Sequence, residues 1–245
     1  FGGILFTQFK NIDTDPSLLS YFSKTSELYK GLEYIDRNGG SSPLRIVLKD
    51  SSQAKLNTKK AYKRLWQLQK EIEQDPDVGV VISLPVIMAE AKKTPIAFFL
   101  SWEWLLEILE RPQYGRITNQ FITKDRKHCF FLLRMNEESR KSSRLEVIER
   151  ITRIFEKHDF TVEHIGGIYN LQGHLSKLIS SSLIFGLGNL IFLFLVISFI
   201  VSRSFGTTLA MVISLCFIPI YILGIGRLVR IPLDIISTPA ANVAI

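Results

Sequence analysis

Four histidines, two cysteines and a run of three serines are the side chains with most capacity for catalysis or metal binding, and their spacing limits what they can do. His128, His158, His164 and His174 fall, by local pattern, at a strand start, a helix end, a strand and the approach to an apolar run. No two are four residues apart, and no acidic side chain stands at ligand spacing, so the chain does not spell a tetrahedral metal set. Cys129 lies in a predicted strand and Cys216 in the middle of an apolar helix; with no CxxC and no Cys/His pairing at zinc spacing, neither a disulfide nor a redox compartment is implied. Ser180-Ser181-Ser182 opens an apolar run with nothing nearby to activate a nucleophile. Gly166-Gly167 lacks the strand–turn–helix setting of a phosphate loop and reads as a bend. Asp13 and Asp15, in NIDTDP, read as a turn with Asp15 before Pro16. These residues support neither an enzyme nor a cofactor.

The elements that would position such residues divide at Lys177. Between Lys177 and Ile245 the only charged residues are Lys177, Arg203, Arg227, Arg230 and Asp234, a net of +3 (four basic, one acidic) out of the total +7. The remaining +4 belongs to residues 1–176, where 26 basic and 22 acidic residues alternate in sign. A nucleic-acid surface needs clustered Lys and Arg on one face, so no nucleic-acid partner is expected.

Leu178 to Ser202 is a run of 25 residues without a charge, and Ser204 to Gly226 is another of 23. A bilayer core takes ~20 helical residues, so each run is long enough to span it. Neither run shows the polar alternation of a barrel strand, so helices are expected, about 178–201 and 206–226. The turn around Arg203 is short enough to force an antiparallel hairpin. A third uncharged stretch, Ile235 to Ile245, is about half a span and reads as a membrane helix cut off by the end of the sequence. Asn189, Ser214 and Asn242 are the polar candidates in these helices, either lining a path through the membrane or joining helices by hydrogen bonds. No Asp, Glu or His lies in the two complete runs.

Residues 1–42 read as a lead-in segment and 43–168 as a domain of two similar units. In the first, Pro43–Lys49 reads as a strand, residues 57–74 as a helix with a stripe of Ala61, Leu65, Leu68 and Ile72, and Val78–Leu84 as a strand. Asp75-Pro76-Asp77 stops the helix. In the second, Cys129–Met135 is a strand and Ser143–His158 a helix with a Ser143/Glu146 capping box and a stripe of Leu145, Ile148, Ile151 and Phe155. Phe160–Ile165 closes the unit. Strand–helix–strand twice over is the split βαβ, ferredoxin-like pattern, so the fold class expected is α+β followed by all-α transmembrane helices in residues 169–245. An insertion at 85–126, with Thr94-Pro95 as its helix start, carries Phe98, Phe99, Trp102, Trp104, Leu105 and Leu106. These aromatics either line a pocket for a lipid-like ligand, face a membrane surface, or pack the insertion onto the sheet.

The succession NIDTDPSLLSYF, YIDRNGGSSPLRIVL, DPDVGVVISL, a second strand–helix–strand unit, HIGGIYNL, a span ending in SRSFG, and GIGRLVRIPLDIIS resembles the resistance–nodulation–division (RND) superfamily, in its MMPL-like predicted-exporter branch related to Patched-type sterol-sensing proteins. The resemblance implies a porter-type domain between membrane helices one and two, outside the cytoplasm of a bacterial inner membrane, with the complete spans as helices two and three. It implies proton-driven export of hydrophobic or amphiphilic, often lipid-like molecules. It also implies further membrane helices, a second repeat and possible oligomerisation. The acidic residue that carries the proton in such proteins is expected beyond Ile245, after a stretch like STPAANVAI. Counting only nearby charges, Arg227, Arg230 and Lys177 against Arg203 favour the opposite orientation, although large domains cross regardless of charge. A second function fits the same architecture: a non-transporting sterol-sensing-like or secretion-accessory protein whose soluble domain binds a partner.

Overall fold

The computed structural model describes residues 15, 17–95, 97–111 and 118–228. It separates into one compact unit over residues 17–171 and another that takes in the described residues 172–228. Asp13, Asn242 and the stretch from Ile235 lie outside the described residues. In chain order the named elements are α1 (Glu27–Gly39), β1 (Ser42–Asp50), α2 (Lys59–Ile72), β2 (Val78–Ser83), α3 (Leu84–Ala91), α4 (Trp102–Leu109), β3 (His128–Met135), α5 (Arg144–Lys157), β4 (Phe160–Gly166), α6 (Ile168–Ser202) and α7 (Phe205–Leu228).

The first unit is α+β. Its strands lie in the order β2-β3-β1-β4, and each neighbouring pair is antiparallel. β1 and β2 therefore run the same way with β3 between them, α2 joining the first pair and α5 joining β3 to β4. Period-two patterning fixes which face is covered: Leu44, Ile46 and Leu48 of β1 and Cys129, Phe131, Leu133 and Met135 of β3 all point inward and are buried. The α2 stripe of Ala61, Leu65, Leu68 and Ile72 is buried against them, joined by Tyr62. On α5, Val147 takes the buried place expected for Leu145, which is only partly covered, beside Ile148, Ile151 and Phe155. Phe131 and Phe155 meet edge to face, 5.6 Å between centroids, and truncating such a ring costs about 3–5 kcal/mol. The Ser143/Glu146 capping box forms as expected.

Three local features depart from the sequence reading. The lead-in contains the amphipathic α1, capped by Ser26 and ended by Gly40 at φ 78, which packs on β2 and β3. Its Asp36 is buried and accepts the backbone N–H groups of Ser41, Glu137 and Glu138, fastening the helix to the end of β3. The insertion begins directly off β2, with Pro85 in the first turn of α3. Thr94-Pro95 does not start the tryptophan helix, because the Thr94 hydroxyl turns back to donate to Ala91 O at 2.8 Å. Thr94 O accepts the backbone N–H of Phe98 in the short turn Ala97–Phe99, and Ser101 caps α4.

The chain leaves β4 through Gly167, whose φ of +96 suits only glycine and where a Cβ would meet Pro43 O. The 35-residue α6 follows, then Arg203 at φ 47 and Ser204, then the 24-residue α7. Among the described residues no helix is long and apolar enough to cross a membrane.

Candidate functional site

The aromatic insertion is the part of the first unit that packing alone does not explain. Its inner face is ordinary core: Leu105 and Leu106 of α4 and Met88 of α3 are buried with the sheet. Trp102 is half-covered and stacks on Tyr62 of α2, centroids 5.2 Å apart with planes at 26°. Burial raises the Tyr62 phenol above its usual range, and its hydroxyl has no hydrogen-bond partner among the described residues. The backbone N–H of Lys59 donates to Glu103, which closes the N-terminus of α2 against α4.

The outer face is different. Phe98 is 69% exposed, Phe99 86% and Trp104 64%. Leaving such rings in water forgoes about 1.5–3 kcal/mol of burial each. Phe98 and Phe99 stand edge to face at 5.4 Å and form one wall of an open groove of 540 Å³, lined also by Ala89, Lys92, Lys93 and Pro95. The Lys92 ammonium sits 4.4 Å from the centroid of the Trp102 ring, and Lys93 pairs with Glu90 at 2.6 Å. Both lysines follow the last turn of α3, where the helix dipole favours cations.

The sheet face opposite the helices carries a charged row. Glu163, at the bulge where β4 shifts register against β1, accepts from Lys49 at 2.5 Å and meets His128 Nε2 at 2.8 Å. The hydrogen bond from Lys49 holds the Glu163 carboxyl below its usual range. His128 Nδ1 lies 3.8 Å from Asp125. Asp125 and His128 are three residues apart, but Lys49, His128 and Glu163 meet only through strand register. His158 instead pairs with Glu71 at 2.9 Å, and Cys129 is buried. Among the described residues no group of three or more His, Cys, Asp or Glu could hold a metal ion.

In the second unit, Asn189 and Ser214 are both exposed, and the Ser214 hydroxyl donates to Ala210 O of its own helix at 2.9 Å. The helix contact lies elsewhere: Ser198, Thr208 and Val212 are buried, and the Ser202 and Thr208 hydroxyls share a hydrogen bond of 2.9 Å. Sequence reading missed Ser198, Ser202, Thr208 and Val212. Their signal is a Ser198/Ser202 and Thr208/Val212 spacing of four on each helix, which faces one turn to the next.

No curated protein matches the chain at a significant level. The model of the MMPL family matches residues 24–235, which takes in α1, the whole sheet with its insertion, α6 and α7. The chain is thus a member of the MMPL family of RND-type membrane transport proteins.

Proposed function

We propose that the chain is part of a proton-driven exporter of hydrophobic or amphiphilic, lipid-like molecules. In this reading residues 43–168 are a ferredoxin-like, porter-type domain outside the cytoplasm of a bacterial inner membrane, and α6 and α7 are membrane spans. The observation that carries it is the join at Gly167. A split strand–helix–strand sheet passes without a linker into a 35-residue helix, of which Leu178–Ser202 has no charge. An uncharged helical stretch of this length is costly to leave in water and suits lipid. The strand order β2-β3-β1-β4 supports the ferredoxin-like reading of the domain. Asn189 and Ser214, exposed on the isolated pair, are assigned to contacts with further helices or to the substrate path, and Asn242 to the same role. The proton carrier is placed beyond Ile245.

The test is efflux of a lipid-like fluorescent dye from bacteria producing the complete protein. Efflux above the empty-vector level that collapses with a protonophore is expected. Efflux indifferent to the protonophore sinks proton coupling, and no efflux favours a partner-binding accessory protein. Orientation is tested with Ser204→Cys, in a background with Cys216→Ser, and a membrane-impermeant maleimide. Cys129 stays silent, since it is buried and burial pushes its thiol up to about 12. Labelling only after permeabilisation is expected; labelling from outside intact cells overturns the placement.

A further inference from the structure

The groove on the insertion is lined by two phenylalanines, by Ala89 and Pro95, and by two lysines. Phe98 and Phe99 stand at right angles, so together they offer a ring face and a ring edge to one ligand chain. Ala89 and Pro95 add apolar surface, and Lys92 and Lys93 also line it. Glu90 pairs with Lys93, so the two lysines with this neighbour leave a net charge of +1 beside the groove. Lys92 is held over the Trp102 ring, which is itself stacked on Tyr62, so its charge has a defined place rather than a freely moving one. A volume of 540 Å³ is of the size that small-molecule clefts have.

Strand register locates the groove within the first unit. β4 ends at Gly166, opposite Arg45 near the start of β1. The insertion packs beyond the other end: Ile122 bridges Cys129 beside the start of β3, and Lys59, after β1 has ended at Asp50, bonds Glu103. The groove therefore lies at the end of the sheet away from the one where the chain leaves β4.

We propose that this groove binds a single anionic amphiphile, its acyl chain against Phe98 and Phe99 and its carboxylate or phosphate on Lys92 and Lys93. Its place in a transport cycle rests on the exporter reading, as a site where a charged, lipid-like molecule is held on the porter-type domain. The occupant is one dispersed molecule, of the size that a groove of 540 Å³ can seat.

The test uses the complete protein in an uncharged detergent with two diazirine-tagged probes of equal chain length, one a fatty carboxylate and one its neutral amide. Labelled peptides are mapped by mass spectrometry. The carboxylate is expected to label residues 84–111 about fivefold more than the amide, the scale two exposed charge contacts supply. Lys92→Gln with Lys93→Gln is expected to bring it down to the amide level, and Phe98→Ser with Phe99→Ser to reduce both probes. Hydrogen exchange in β1 and α2 checks that each variant keeps its fold, and a variant that fails it is replaced by Lys92→Met with Lys93→Met or by Phe98→Asn with Phe99→Asn. Equal labelling by the two probes, labelling that survives loss of both lysines, or labelling only from anionic vesicles overturns the proposal. Dye efflux measured on the same variants separates the two ideas. Preserved charge-selective labelling without efflux leaves the site standing and removes the exporter, whereas efflux without such labelling does the reverse.

Discussion

Trp102 lies stacked on Tyr62, 5.2 Å between ring centroids, while Trp104, two residues along the same helix, is 64% exposed. A helix turns about 200° over two residues, so one tryptophan faces the core and the next faces water. The two substitutions should therefore separate. Trp102→Ala opens a gap over Tyr62 and releases Lys92, and is expected to destabilise the first unit by about 2–4 kcal/mol. Trp104→Ala is expected to change stability by less than about 0.5 kcal/mol while lowering export. Hydrogen exchange in α2 reads the first effect and dye efflux the second. Equal loss of folding in both variants would show that Trp104 too is a packing residue.

Gly79 of β2 passes so close to the end of α1 that a Cβ there would overlap the Gly39 carbonyl and the Gly40 nitrogen. Backbone cannot give way as a flexible side chain can. Gly79→Ala is expected to cost about 1–3 kcal/mol by overpacking and to speed exchange in α1 first. Gly39→Ala is the control: its Cβ would meet only Val80 Cγ2 at 3.3 Å, a side chain that can move. A Gly79→Ala protein with native exchange in α1 would refute the close packing of α1 on β2.

Asp50, at the end of β1, is a source of acid sensitivity. Burial pushes its carboxyl up, but hydrogen bonds from the Ser52 side chain and backbone N–H and from Arg64 outweigh this and hold it below its usual range. A depressed folded-state pKa adds stability above the ordinary carboxylate range and loses it as pH falls through the folded value. Asp50→Asn should therefore lower the melting temperature at pH 7 and flatten its decline between about pH 5 and pH 2. Parallel melting curves for the two proteins across that window would remove Asp50 from the acid response.

The main elements of the sheet domain were legible because their patterns are periodic. The α2 stripe at Ala61, Leu65, Leu68 and Ile72 and the alternation through β3 can be read without a structure, since a helix and a strand each bury one face at a fixed repeat. The capping box of Ser143 and Glu146 is equally local. Leu145 was assigned to the α5 core and Val147 was not, because a stripe at one helical angle tolerates a neighbour on either side. The helix α1 went unread: its contribution to the fold rests on Asp36 reaching residues 137 and 138, a hundred positions away. The Thr94-Pro95 start failed for a related reason, because the threonine hydroxyl completed the preceding helix and left Ser101 to cap the next.

By itself the sequence determined the four strands and the two helices that cover them, in their order, the uncharged runs after Lys177, and the absence of a spelled catalytic set. These depend on composition and on spacings within a few residues, which the chain states directly. Tertiary structure decided which of the insertion's aromatics are core and which are exposed. It also decided that Lys92 and Lys93 border Phe98 and Phe99, and that Lys49, His128 and Glu163 meet across the sheet. Those relationships come from strand register and from helices meeting across the core, where residues far apart in the chain become neighbours.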